Sequence, residues 1–251
     1  MRVCVFDTET VNLEKPFCYN IGYLIYDTEL DEILVKHDYI VEQVWHNPML
    51  FTTAYYANKK EKYISAMRGK TATLEKFGYI MQQMKRDFKA YEVENAFAYN
   101  SPFDEKVFDY NCDWFKCINP FDNIMIYDIR GYAHQYIVTD KYKAFCDKYS
   151  LYTETGNYST TAEAMFRYIS GNTTFDEEHT ALADSEIELE ILKFAVYHGA
   201  TYGTNYATFR SIKREQNKTL SIKYNKEELL NINYDSITIN KDKTEIKLTK
   251  H

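Results

Sequence analysis

The run Val3-Cys4-Val5-Phe6 ends in Asp7-Thr8-Glu9, two acids one residue apart at the carboxyl end of a segment with strand composition. In a strand, residues two apart share a face, so Asp7 and Glu9 aim at a common point while Thr8 faces away. Two more acids sit where helical spacing turns them inward. Asp104 in SPFDEKVFDY precedes Val107 and Phe108 by three and four residues, and Asp184 shares a stripe with Ile187, Ile191 and Ala195. A carboxylate on a buried stripe is costly unless it is paired or coordinates a cation. No matching Lys or Arg lies on these stripes, so four convergent carboxylates point to bound metal, and oxygen ligands suit Mg²⁺ or Mn²⁺ better than zinc. His179 stands five residues before Asp184 in HTALAD, and a neutral imidazole beside such a cluster is suited to take a proton from water. Taken singly, Asp7-x-Glu9 reads as a common strand ending, Asp104 and Asp184 as ordinary first-turn charges, and the histidine as structural. The combination carries the argument.

The elements that must bring these residues together follow from periodicity. After the first strand, residues 19–26 and 33–41 read as strands joined by the polar turn DTELDE, a meander of antiparallel neighbours. LEKFGYIMQQMKRDFKAY places Leu74, Phe77, Ile80, Met81, Met84 and Phe88 at helical spacing. ENAFAYN is a short strand, SPFDEKVFDYN a helix capped by Ser101 with Pro102 in its first turn, and IMIYDI another strand. Further helices include one with a capping box from Thr160 to Glu163 and a stop at Gly171, and a last one over about 180–198 with Gly199 beyond it. Strands followed by alternating helix and strand predict an α/β fold with a mixed sheet.

Beyond Gly203 the character changes. TLSIKYN and SITINKDKTEIKL alternate apolar and polar residues, and the second reads as a hairpin turning at 240–243. Residues 205–251 hold ten Lys and Arg against six Asp and Glu, leaving 20 against 31 in residues 1–204 of a chain with net charge −7. The expected division is therefore a domain over 1–204 and a basic, β-rich extension over 205–251, too short for a core of its own. An acidic body does not exclude a nucleic-acid partner, because local patches and bound metal decide binding. No apolar run approaches the roughly 18 residues of a membrane span, and acids interrupt the first residues where a signal peptide would be apolar. Five cysteines without a CxxC pair imply reduced thiols, and the expected location is cytoplasmic. The oligomeric state is not legible.

DTET at 7–10, NSPFDEKVF at 100–108 and HTALAD at 179–184 resemble, in order and spacing, the three motifs of the DEDDh 3′-to-5′ exonucleases, which include the proofreading subunit of bacterial replicative polymerase, ribonuclease T and oligoribonuclease. The resemblance covers about residues 1–200. The sister subfamily has a tyrosine four residues before the last acid, and Thr180 stands there. The resemblance implies a ribonuclease-H-like, five-stranded mixed sheet flanked by helices. It also implies that Asp7, Glu9, Asp104 and Asp184 hold two divalent ions, Mg²⁺ or Mn²⁺, with His179 as general base. Thr8, Thr10 and Asn100 fall where the family contacts the terminal nucleotide, and Phe103 reads as packing. Where relatives often carry glycine after the first motif, this chain has Val11, Asn12 and Leu13.

The activity so implied is metal-dependent hydrolysis at the 3′ end of single-stranded or frayed DNA, releasing nucleoside 5′-monophosphates. The implied partners are nucleic acid and a polymerase or another replication or repair protein. Two alternatives stand beside it: a 3′-exoribonuclease acting on RNA or oligoribonucleotides, since sugar preference depends on contacts to a 2′-OH, and a non-catalytic adaptor for nucleic acid or polymerase. Retention of all five residues speaks against the adaptor. Some of the 24 tyrosines could stack on bases, although most belong to core or ordinary surface.

Overall fold

A computed structural model describes residues 1–51, 54, 58, 60–204 and 211–214, and the backbone of 220–222, 236–239 and 246–249. Strand β1 (Arg2–Thr10) is followed by β2 (Cys18–Asp27) and β3 (Glu32–Val41), then by the short helices α1 (Glu42–Trp45) and α2 (Pro48–Phe51) and by α3 (Lys60–Arg68). Next come β4 (Thr73–Glu75), α4 (Phe77–Ala90), β5 (Val93–Ala98), α5 (Ser101–Phe115) and β6 (Met125–Asp128). The helices α6 (Ile129–Tyr136), α7 (Asp140–Tyr149), α8 (Ala162–Ser170) and α9 (Ala181–Tyr197) follow, and β7 (Leu220–Ile222), β8 (Ser236–Ile239) and β9 (Ile246–Thr249) come last.

Six strands form one sheet in the order β4-β3-β2-β1-β5-β6, with β1, β2 and β3 antiparallel and the remaining pairs parallel. The expected meander and mixed sheet are present, with one strand more than the expected five. The extra strand is β4, where Leu74 pairs with Ile40. Leu74 fits the helical period of the segment after it, but the open edge of β3 takes its backbone into the sheet, and α4 begins three residues later at Phe77.

The register of β1 against β2 decides which face each side chain takes. Phe6 lies opposite Tyr23 and Cys4 opposite Ile25, and on this face the Phe6 ring meets Phe108 of α5 edge-on at 5.6 Å and Phe121 at 4.5 Å. Asp7 lies opposite Gly22 and Glu9 opposite Asn20, on the face covered by α9. α9 spans nearly the predicted limits, from the cap Thr180 to His198, with Gly199 in a positive-φ conformation beyond. Its buried residues include Asp184, Ile187, Ile191 and Ala195.

Two helix starts differ from expectation by one residue. Thr161, not Thr160, caps α8 and accepts the N–H of Ala164, because Thr160 is buried and occupied: its carbonyl accepts the Tyr99 hydroxyl at 2.6 Å and its hydroxyl the Arg130 guanidinium at 3.2 Å. Glu163 instead pairs with Arg167 one turn on. At α5 the cap is Asn100, in a left-handed conformation (φ 65°, ψ 44°), and Ser101 is the first helical residue, its hydroxyl donating to Glu105 at 3.0 Å. Asparagine tolerates that backbone region better than most residues.

The chain divides into two compact units, one of residues 1–151 and 159–210, the other of 152–158 and 211–251. In the second, Tyr152 bridges to Tyr158, the Tyr158 N–H donates to the Ile212 carbonyl at 3.1 Å, and the Arg214 guanidinium lies 4.1 Å from the Tyr152 ring centre. Its three-stranded sheet runs β7-β9-β8, all antiparallel. The expected turn at 240–243 lies outside the described residues. Among the described residues no helix is long and apolar enough to cross a membrane, and the five cysteines are free.

Candidate metal and catalytic centre

β1 outruns its parallel neighbour. β5 pairs with Arg2 to Val5 and no further, so Asp7, Thr8 and Glu9 project beyond that ladder at the carboxyl end of the strand. In open α/β sheets, ligands bind in the crevice outside such strand ends. The register of β1 against β2 shifts between Glu9 and Thr10, an irregularity of the kind that re-aims side chains at the end of a ladder.

Thr8 points to the face opposite its acidic neighbours, and there its hydroxyl donates to Asp104 Oδ1 at 2.6 Å. On that face, as the strand period predicts, it ties the start of α5 to β1. Asp104 is 2% exposed, and burial followed by repulsion from Asp7 pushes its carboxyl well above the usual carboxylate range. Burial likewise raises Asp7, to about 7, against the opposing effect of a backbone hydrogen bond at Thr8.

α9 brings the remaining groups. Gly22 admits it: a Cβ there would lie 2.0 Å from the Leu182 nitrogen and 2.1 Å from the Ala181 carbonyl carbon. Asn20 seats it. Its side-chain oxygen accepts the Ala181 N–H at 2.8 Å, while its amide donates to Asp38 at 2.6 Å and to the Tyr39 carbonyl at 3.0 Å. Because Gly22 and Asn20 are the cross-strand partners of Asp7 and Glu9, the first turn of α9 is delivered over the β1 acids. Ligand atoms of Glu9, His179 and Asp184 all lie within 4.8 Å of one another.

His179 sits in the lead-in to that helix with φ 49°, a left-handed backbone held from several sides. The Tyr63 hydroxyl donates to its carbonyl at 3.2 Å, and Lys62 of the same helix pairs with the adjacent Glu178 at 2.5 Å. Glu177 Oε2 is 3.6 Å from His179 Nδ1, so a carboxylate flanks one edge of the ring. Ligand atoms of Glu163, Glu177 and His179 also fall within 4.8 Å of one another.

The sequence-predicted acids and histidine thus occupy one region. Of the predicted substrate contacts, Thr10 is half-buried, its hydroxyl 3.4 Å from the Asn12 carbonyl, and Asn100 is exposed beside the first turn of α5. Thr8 is buried, with its hydroxyl engaged by Asp104.

In this region one further buried acid, not singled out by the sequence, joins the group. Glu188 is 3% exposed, one turn beyond Asp184 on the same stripe, and accepts the Tyr99 N–H at 3.1 Å. Burial, then Asp7, Asp104 and Asp184 in that order, push its carboxyl well above the usual range. Its position four residues after Asp184 was the available signal. Carboxylates that raise one another in this way make a donor set of hard oxygens with an excess of negative charge, which fits divalent cations.

No family model matches the sequence, and no curated protein matches it closely. Solved structures do match. One is the nuclease domain of 3'hExo, a DEDDh family member solved bound to rAMP, at 15% identity and a TM-score of 0.53, covering 79% of this chain and 92% of that one. The fold is that of the DEDDh 3′ exonucleases. A 3′-exonuclease solved in recognition of the histone mRNA stem-loop shares 14% identity with a TM-score of 0.51, over 77% of this chain and 63% of that one. Exonuclease I shares 13% with a TM-score of 0.51, over 79% of this chain. The chain spans 41% of that exonuclease I chain. Within the DEDDh exonuclease fold, β1, α5 and the start of α9 are the elements that deliver the acids described above.

Proposed function

We propose that this chain is a divalent-metal-dependent 3′-to-5′ exonuclease that hydrolyses the terminal phosphodiester bond of single-stranded or frayed DNA and releases nucleoside 5′-monophosphates. The observation that carries the reading is the grouping of Asp7, Glu9, Asp104, Asp184 and His179 at the carboxyl end of β1, in a fold shared with the DEDDh exonucleases. The acting unit would be residues 1–204.

Asp7, Glu9, Asp104 and Asp184 would hold the ions, Mg²⁺ or Mn²⁺. When bound, these supply Lewis-acid stabilisation of the charge that develops on the phosphoryl and leaving oxygens. His179 takes the proton of the attacking water. Glu177, 3.6 Å from Nδ1, favours the imidazolium that results. Tyr63 and Lys62 hold the backbone on which the base rides. Thr8 orients Asp104, and Thr10 and Asn100 would contact the terminal nucleotide.

A second reading keeps the chemistry and changes the sugar. Two of the structural relatives were solved with rAMP or in recognition of an mRNA stem-loop, which supports a 3′-exoribonuclease. One experiment tests both. Matched 5′-labelled DNA and RNA oligonucleotides, single-stranded and as mismatched duplexes, are incubated with Mn²⁺ or Mg²⁺ in a single time course. A ladder shortening from the 3′ end of DNA and abolished by EDTA is expected. Faster shortening of RNA selects the second reading, and intact substrate of both kinds with both ions overturns the enzyme assignment.

A further inference from the structure

Two residues, Tyr99 and Asn100, separate the end of β5 from the start of α5, and the chain turns between them through the left-handed conformation of Asn100. Their consecutive N–H groups go to carboxylates from two other elements. Tyr99 donates to Glu188 Oε2 of α9 at 3.1 Å, and Asn100 donates to Asp128 Oδ1, at the end of β6, at 2.8 Å. Asp128 also accepts the Arg130 N–H at 2.9 Å as the cap of α6. Glu188 therefore reaches from the helix of Asp184 to the turn that launches the helix of Asp104.

We propose, resting on the exonuclease reading above, that Glu188 is a positioning residue: by gripping the Tyr99 N–H it sets the spacing of α5 and α9, and so the separation of Asp104 from Asp184. Three observations carry this. Glu188 is one helical turn from Asp184 on the buried face of α9, so its reach and that of Asp184 are fixed by the same backbone. Asp104 lies in the first turn of α5, where a shift of the Tyr99–Asn100 turn moves it directly. Asp104 is also held by Thr8 on β1, so without Glu188 the start of α5 keeps these ties to β1 and β6 while its tie to α9 through Tyr99 is lost.

A hydrogen-bond acceptor suffices for this role and a charge is not required, which separates it from metal ligation. The test compares Glu188→Gln and Glu188→Ala with the wild-type chain. Mn²⁺ affinity is measured by calorimetry without nucleic acid, hydrogen exchange at the Tyr99 amide by NMR, and folding by thermal melting. Glu188→Gln is expected to keep Mn²⁺ affinity within about twofold of wild type and to keep the Tyr99 amide protected. Glu188→Ala is expected to expose that amide and weaken Mn²⁺ binding by roughly 10- to 100-fold, the range typical of lost outer-shell partners. Equal weakening in both variants would make Glu188 a ligand and overturn the proposal. Wild-type affinity and wild-type amide protection in Glu188→Ala would overturn it also. If Glu188→Ala does not fold, Glu188→Gln still decides, because ligation predicts a loss there and positioning does not. Because none of these readouts uses nucleic acid, a wild-type chain that binds Mn²⁺ but cleaves nothing would sink the exonuclease reading separately.

Discussion

Asn20, fully buried on β2, accepts the N–H of Ala181, the first residue of α9, at 2.8 Å. The bond satisfies a donor that the helix itself leaves open and fixes where the helix starts. Two residues along the same face, Gly22 lets the backbone of Ala181 and Leu182 approach to where a Cβ would stand. Each of these β2 residues lies opposite one of the acids of β1, so a strand with no direct chemistry decides how Asp184 meets Asp7 and Glu9.

Gly22→Ala should accordingly be among the most damaging single-atom changes in the chain. Its new methyl would sit 2.0 Å from the Leu182 nitrogen, against backbone that cannot rotate aside. A loss at or above the upper end of the roughly 1–3 kcal/mol that overpacking costs is expected, read as a lowered denaturation midpoint. Asn20→Ala should cost about 1–3 kcal/mol through unsatisfied buried groups. In both, Mn²⁺ affinity should fall further than in a control of equal stability loss elsewhere in the core. Parallel losses in variant and control would refute a role in placing α9.

The contrast between what was legible and what was not runs along these contacts. The β1–β2–β3 meander and the limits of α9 are written in local pattern: strand-forming runs, a short polar turn between β2 and β3, and Gly199 past the end of the last helix. Asp7, Glu9, Asp104, His179 and Asp184 could be singled out because each stands at a helix or strand terminus in a recognisable spacing. Asn20, Gly22 and Tyr63 act through partners 116 to 161 residues away and carry no local mark, whereas Glu188 is marked only by its place four residues after Asp184. The same holds for β4: Leu74 satisfies the helical period of its own segment, and the vacant edge of β3 that claims it is a property of the assembled sheet.

His179→Ala should lower turnover by roughly 10²–10⁴-fold, the usual contribution of a positioned acid–base group, while sparing Mn²⁺ affinity. Tyr63→Phe deletes the hydroxyl that holds the His179 carbonyl at 3.2 Å but leaves the ring packed against Tyr19 and Trp45. It should therefore reduce turnover several-fold with little change in melting temperature. Steady-state rates beside melting curves check the pair. An equal loss of Mn²⁺ binding in His179→Ala would move that residue from proton transfer to ligation.

Mn²⁺ should raise the melting temperature, because ions that bind the folded centre stabilise it by mass action, about 2.7 kcal/mol at one hundred times the dissociation constant. Asp104→Asn removes a buried carboxyl whose ionisation burial and Asp7 oppose. This variant should melt higher than wild type in EDTA and gain less from Mn²⁺. Differential scanning calorimetry with and without the ion reads both shifts, and an identical gain in variant and wild type would exclude Asp104 from the ion site.

The pH dependence follows from the direction of the same shifts. Burial raises Asp7 to about 7 and pushes Asp104 and Glu188 well above the carboxylate range, whereas an unfolded chain releases such protons near pH 4. Between these values the ion-free folded protein holds protons that the unfolded chain has lost, so stability falls as pH rises. The contribution of Asp7 is complete below about pH 4 and lost as the pH passes through about 7. Ions compete with those protons, so apparent Mn²⁺ affinity should move the opposite way and strengthen across the same window. Denaturation midpoints in EDTA at pH 5 and pH 8, for wild type and Asp7→Asn, isolate the effect: the wild type should lose more stability than the variant over that interval. A wild-type loss no larger than that of Asp7→Asn would mean that Asp7 is already ionised in the ion-free protein and that burial does not hold its proton.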